Sequence, residues 1–81
     1  MLDRATPRRR TLLGGQIHFN SNASIIDCVI RDLSDGGARL VVENGLSIPE
    51  QFTLKVSDGR SFECQIRWRK MTLIGIAFVG V

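Results

Sequence analysis

Asp32-Leu33-Ser34-Asp35-Gly36-Gly37 lies between two runs with the alternating apolar pattern of β-strands, Ile25 to Arg31 and Ala38 to Val42. Gly36 and Gly37 can take positive φ values without a Cβ penalty, and we expect the Asp and Ser side chains to bond nearby backbone amides. The simplest interpretation is a hairpin turn, because turns of this composition are common. The N-terminal segment Arg4-Ala5-Thr6-Pro7-Arg8-Arg9-Arg10 suggests more, since it supplies cations where the turn supplies acceptors and amides.

The length and composition indicate one small soluble domain. The chain has 81 residues, enough for a single core, and its 43% hydrophobic and 23% charged content is typical of globular proteins. The net charge of +3, with four arginines in the first ten residues, favours an anionic partner. No apolar run approaches the roughly 18 residues of a membrane span, and no secretory signal is seen. We therefore expect a cytoplasmic protein whose two cysteines, Cys28 and Cys64, are reduced and buried.

Six runs of the sequence alternate with a period of two, and none shows the 3.6-residue period of a helix. Each predicted strand has one apolar face, so the sheet must close on itself or pack on a partner. Six strands in so short a chain predict an all-β, six-stranded antiparallel barrel, which also removes exposed edges. The residues expected to face inward are Ile17, Phe19, Ile26, Cys28, Ile30, Ala38, Leu40, Val42, Phe52, Leu54, Val56, Phe62, Cys64, Ile66, Trp68, Ile74, Ile76 and Phe78.

The same pattern predicts the division of the chain. Residues 1–12 are polar and basic without a clear period, and we interpret them as a flexible arginine-rich arm. Residues 13–81 form the barrel domain, with a bend at Gly14-Gly15 before order begins, hairpin turns at Asn20–Asn22 and Asp58-Gly59, and a loop from Glu43 to Glu50.

The usual catalytic patterns are absent from the sequence. His18 is the only histidine, and we expect it to face solvent on a strand. The two cysteines lack metal-ligand spacing, Ser34 has no triad pattern, and there is no phosphate loop of the form G-x-x-x-x-G-K. We therefore predict that the protein is not an enzyme, with no catalytic residues, no metal and no cofactor.

The N-terminal arginine segment and the turn from Asp32 to Gly37 resemble two motifs of the PilZ domain. That family carries R-x-x-x-R on an N-terminal arm, matched here by Arg4 to Arg8, and D/N-x-S-x-x-G on the sheet, matched by Asp32 to Gly37. Ile66-Arg67-Trp68 and Gly75-Ile76-Ala77-Phe78 are similar to its closing strands, so the resemblance covers nearly the whole chain. One departure is Asp3, which holds a place often taken by arginine in the family.

The resemblance implies a barrel that binds the bacterial second messenger cyclic di-GMP. Arginine pairs with phosphate and stacks on purines, a carboxylate accepts from the guanine edge, and a hydroxyl bonds the base or a phosphate. A glycine allows the ligand to approach the backbone. The ligand would order the arm against the turn and change a surface that a partner protein recognises. The implied ligand-binding residues are Arg4, Arg8, Arg9, Asp32, Ser34 and Gly37.

Two other functions stay open. The chain could be a PilZ-like module that binds a partner protein without nucleotide. It could also be a small barrel that binds RNA or single-stranded DNA through its basic arm. The second is less favoured, because stacking platforms need exposed aromatic rings and all five aromatic residues are expected inside. We expect a monomer or a weak dimer.

Overall fold

Alternating apolar side chains place most of the chain in β-structure. The computed structural model describes residues 12–79. They form six strands, as predicted: β1 (Leu13–Phe19), β2 (Ser24–Arg31), β3 (Gly37–Val41), β4 (Gln51–Val56), β5 (Ser61–Arg69) and β6 (Leu73–Val79). The predicted arm lies outside the described residues, apart from the exposed Leu12. Within residues 12–79, no helix is long or apolar enough to cross a membrane.

The strands form a closed antiparallel barrel in the order β1-β2-β3-β6-β5-β4, which confirms the predicted fold. Two three-stranded meanders, β1-β2-β3 and β4-β5-β6, meet at two seams. β3 pairs with β6 along the first seam, and β1 pairs with β4 along the second. The second pairing closes the barrel, so every strand has a neighbour on both sides and no edge is left exposed.

The barrel interior is filled by aliphatic side chains. Ile17, Ile30, Leu40, Leu54 and Ile74 have no exposed surface and come from five different strands. The predicted loop from Glu43 to Glu50 contains a 3-10 turn at Gly45–Ser47 and adds the buried Ile48 to the core. Burial of each such side chain contributes about 1.5–3 kcal/mol relative to exposure. The inward faces were predicted correctly apart from Trp68.

The connections follow local backbone chemistry. Asn20, Ser21 and Asn22 all have positive φ at the tip of the first hairpin, and Gly59 (φ 103°) turns the β4–β5 hairpin. Gly14 and Gly15 do not form the expected bend. They lie within β1, because β1 is held by β2 on one side and Gly15 also pairs with Val56 of β4.

Both cysteines are free thiols inside the barrel, as expected. Burial raises the pKa of Cys28 and of Cys64 to about 12, with nearby acidic groups adding to the effect. Removal of these protons in the folded barrel would place a thiolate in an apolar core. Both side chains therefore stay protonated and unreactive near neutral pH.

We predict that the barrel loses stability as the pH rises from 9 toward 12. Over this range the unfolded thiols, with an ordinary pKa of 9.0, release protons that the folded thiols keep. The unfolded state then binds fewer protons than the folded state, so the free energy of unfolding falls. Urea unfolding at several pH values measures the slope. The matched variant Cys28→Ala/Cys64→Ala should show a shallower fall, and an equal slope would contradict this account.

Candidate ligand-binding site

A β-bulge in β5 changes the direction of one aromatic side chain. Ile66 pairs with Ile76 of β6, and the next pair is Trp68 with Gly75, so Arg67 is an extra residue on β5. The extra residue reverses the alternation beyond it, as bulges do. The expectation that Trp68 lies in the core is therefore wrong, and the side chain is outside the barrel and 41% exposed.

The displaced indole lies flat against β6. A Cβ atom at Gly75 would overlap the Cε2, Nε1 and Cζ2 atoms of Trp68, so only glycine allows the ring to rest there. The ring thus has one face on the sheet, and Lys70 Nζ lies 5.8 Å from its centroid. Without the bulge, the indole would compete for space in a core that is already filled.

Trp68 ends a row of residues that crosses four strands on the outer surface. Arg31 of β2 pairs with Arg39 of β3, Arg39 pairs with Gly75 of β6, and Gly75 pairs with Trp68 of β5. Side chains in such a row are direct cross-strand neighbours. The row therefore aligns two guanidinium groups with an exposed indole, with only the small Gly75 between them.

The same bulge places Arg69 at the end of the barrel. Its Nη1 donates to the carbonyl oxygens of Gly45, Leu46 and Ile48 at 3.2, 3.3 and 2.7 Å. Its Nη2 lies 3.7 Å from a carboxylate oxygen of Glu50. These contacts attach the loop before β4 to the strand that carries Trp68.

The turn between β2 and β3 is built differently from the expectation. Neither Gly36 nor Gly37 has a positive φ, and the residue in the left-handed region is Asp32 (φ 49°). Ser34 donates its backbone N–H and its hydroxyl to the Gly37 carbonyl at 2.9 and 3.1 Å. The Phe78 N–H donates to the Gly36 carbonyl at 2.9 Å, which fastens the turn to β6.

Gly37 is required by the packing of β3 on β6. A Cβ atom there would overlap the Ile76 carbonyl oxygen and would lie 3.2 Å from Ala77 Cα. These atoms belong to the backbone and cannot rotate away. The close strand approach by itself therefore accounts for glycine at this position, whatever role Gly37 has toward a ligand.

The turn and the row border an open cleft of about 670 Å³. Three of the six predicted ligand-binding residues, Asp32, Ser34 and Gly37, line it together. The others, Arg4, Arg8 and Arg9, lie outside the described residues. The full lining is Asp32, Ser34, Gly36, Gly37, Ala38, Arg39, Arg67, Trp68, Ile76 and Ala77.

Seven lining residues were not among the predicted site residues, and three of these, Arg39, Arg67 and Trp68, carry a charge or an aromatic ring. Arg39 was placed on the outer face of its strand by the alternation, but nothing in the sequence indicated its partner. Arg67 and Trp68 reach the cleft because of the bulge, which depends on pairing with β6. Nucleic-acid binding was less favoured because all five aromatic residues were expected inside the barrel. Trp68 is instead an exposed ring with cations beside it, as a base-stacking surface requires.

The two arginines of the cleft differ in their ion pairing. Arg39 Nη2 donates to Asp32 Oδ2 in an ion pair, with side-chain exposures of 46% and 13%. Arg67 is exposed, and no acidic side chain within residues 12–79 forms an ion pair with it. The cleft thus offers a carboxylate, an aromatic face and a cation. Across the same part of the chain, no group of three metal-binding side chains is present.

The N-terminal end of β1 lies on the side of the barrel that carries the turn. Leu13 pairs with Ile30, which is two residues before Asp32. The eleven residues that precede Leu12 are thus joined to the barrel close to the cleft. Four extended residues span at most about 13–14 Å, and two strand spacings are about 10 Å. Covalent distance therefore allows Arg8 to reach the β3 side of the cleft.

We predict that Gly37→Ala destabilises the barrel by at least about 1–3 kcal/mol, because the new methyl group overlaps the β6 backbone. Gly36→Ala is the matched control, since a Cβ atom there meets nothing within 4 Å. Urea unfolding of both variants measures the difference. Equal stability of the two variants would contradict the close approach of β3 and β6.

The model of the PilZ domain family matches residues 2–81, which is essentially the whole chain. No curated protein matches the sequence.

Proposed function

Because the chain belongs to the PilZ domain family, we propose that it is a receptor for cyclic di-GMP and binds this nucleotide in the cleft beside Asp32 and Trp68. PilZ domains are ligand-binding and adaptor domains rather than enzymes. The observation that carries the proposal is the convergence of Asp32, Ser34 and Gly37 with an exposed indole in one cleft.

The cleft provides the groups that one guanine base requires. The Asp32 carboxylate can accept from the N1–H and the exocyclic amine of guanine, which are adjacent donors. The exposed face of Trp68 can stack on the purine, an interaction worth about 1–3 kcal/mol per base. Gly36 is exposed and has open space beside it, so the turn backbone is accessible to the ligand at this residue.

Cations at the cleft rim suit the two phosphates of the ligand. Arg67 has no ion-pair partner within residues 12–79, and guanidinium pairs with phosphate oxygens in a planar fork. Arg4, Arg8 and Arg9 precede a strand that starts near the cleft, so we assign them the remaining phosphate and base contacts. In this proposal, the segment folds over the bound nucleotide.

The proposed output is recognition by a protein partner. Two exposed apolar side chains, Leu46 (60%) and Met71 (67%), lie on two loops, and Met71 follows Trp68 and Lys70 in the chain. Their loops are held together by the Gly45 N–H, which donates to the Met71 carbonyl at 2.6 Å. We propose that a partner binds here and to the adjacent ligand. Since the ligand is a bacterial second messenger, we assign the protein to the bacterial cytoplasm.

We predict micromolar binding of cyclic di-GMP, or about −8 kcal/mol, by isothermal titration of the full chain. Arg8→Ala and Asp32→Ala should each weaken binding by about tenfold or more, because each removes a charge-assisted contact. Arg60→Ala is the charge-matched control. It removes one cation at the β4–β5 hairpin, far along β5 from Trp68, and should leave the affinity nearly unchanged. Unchanged binding by the Arg8→Ala/Asp32→Ala variant would show that the site is wrong.

Trp68 provides a second measurement, because it is the only tryptophan in the chain. Stacking of guanine on the indole should quench its fluorescence in a saturable way. Trp68→Ala should weaken binding by about tenfold, while Trp68→Phe should recover much of the loss, since a smaller ring still stacks. Full affinity in Trp68→Ala would exclude the stacking contact, and a salt-sensitive affinity for arbitrary oligonucleotides would instead favour a nucleic-acid-binding function.

A further inference from the structure

The carboxylate assigned to guanine is already paired in the ligand-free protein. Arg39 Nη2 bonds Asp32 Oδ2, and only 13% of the Asp32 side chain is exposed. A guanine base that bonds both carboxylate oxygens competes with the guanidinium for Oδ2. Ligand binding at Asp32 therefore favours displacement of Arg39.

Arginine and guanine present the same donor pattern to a carboxylate. The guanidinium group is planar and offers N–H groups in a fork that matches two carboxylate oxygens. The guanine edge has the same arrangement, with N1–H and the 2-amino group in one plane. The two groups are thus chemically equivalent partners for Asp32, apart from the positive charge of arginine.

We propose that Arg39 is an internal substitute for guanine, which occupies Asp32 in the free protein and is exchanged for the base when the nucleotide binds. The inference rests on the proposed cyclic di-GMP function and identifies a specificity-determining residue outside the family motifs. Exchange of one planar group for the other keeps an N–H donor on a largely buried carboxylate. A base with a different edge cannot offer the carboxylate two adjacent N–H donors.

The position of Arg39 suits this exchange. Its side chain is 46% exposed, so the guanidinium can return to solvent without crossing the core. Arg31 is its direct cross-strand neighbour, and like charges in that position repel each other. Asp32 offsets this repulsion in the free protein, while the phosphates of a bound nucleotide would offset it in the complex.

The selectivity follows from the base edges. Adenine presents one donor and one acceptor on its Watson–Crick edge, so it cannot replace a guanidinium fork on a carboxylate. The exchange therefore favours a guanine dinucleotide over cyclic di-AMP. It also lowers the affinity for the correct ligand, because the ion pair is lost on binding.

The test compares Arg39→Gln with Arg31→Gln by titration of the full chain with cyclic di-GMP. Both variants lose one positive charge from the same row, so the general electrostatic effect on an anionic ligand is matched. Only Arg39→Gln removes the competitor at Asp32. We expect Arg39→Gln to bind about two- to fivefold more tightly than Arg31→Gln, the range of a half-exposed ion pair.

Two further measurements make the result specific. Arg39→Lys keeps the charge without the planar fork, and its affinity should lie between those of the wild type and Arg39→Gln. Cyclic di-AMP should gain nothing from Arg39→Gln. Urea unfolding confirms that both glutamine variants fold, which is expected because both arginines are exposed.

The outcomes separate the inference from the function it rests on. If the wild type binds cyclic di-GMP but Arg39→Gln binds equally to or more weakly than Arg31→Gln, Arg39 is a structural or ligand-contacting residue and the exchange is excluded. An equal gain for cyclic di-AMP would also exclude it, since the effect would then be a general opening of the cleft. If no variant and no wild-type protein binds the nucleotide, both the proposed function and the exchange are wrong.

Discussion

The close approach of β3 and β6 determines the position of every group in the cleft. The two meanders meet at this seam, and at Gly37 the strand backbones lie so near each other that a side chain has no room. The Gly36 carbonyl receives the Phe78 N–H, so the turn before β3 is attached to β6 as well. Asp32 and Ser34 thus belong to a turn that is fixed at both ends, rather than to a free hairpin tip.

A single extra residue in β5 then supplies the aromatic part of the site. The bulge reverses the alternation after Ile66, so Trp68 lies on the surface and its indole is not fully buried. Gly75 offsets part of that loss, because the ring covers the sheet with one face. An exposed aromatic ring on a fixed support costs little side-chain entropy when it binds a base, which is why such positions recur in binding surfaces.

The sequence predicted the features that depend on local pattern. The period of two identified six strands, and the need to bury one face and avoid edges led to a closed barrel. Trp68 was misplaced because the bulge depends on pairing with β6, and the pattern within β5 contains no information about that pairing. The bend expected at Gly14-Gly15 was wrong for a related reason, since pairing with β2 and β4 holds these glycines extended.

In the candidate site, too, local features were predicted from the sequence and features that depend on strand pairing were not. The motif from Asp32 to Gly37 predicted which turn lines the cleft, but neither glycine has a positive φ, and Gly37 has a packing role instead. The pairing of Asp32 with Arg39 could not be predicted, because it joins residues seven apart across a turn whose geometry depends on β6. The assignments of Arg4, Arg8 and Arg9 stay predictions, since these residues precede the described part of the chain.

The segment from Arg67 to Met71 lines the cleft at its first residues and contacts the loop before β4 at its last residues. Arg67 and Trp68 line the cleft, Arg69 bonds three carbonyl groups of that loop, and Met71 accepts from Gly45. Allosteric coupling between the cleft and this loop would need a structural element with two distinct arrangements. Direct contact between the two regions is not enough for such coupling. Because Arg69 and Gly45 hold the loop at several points, we expect its backbone to stay in place when a ligand binds. A partner would then recognise the nucleotide and the apolar side chains beside it as one composite surface, without a change in the shape of the barrel.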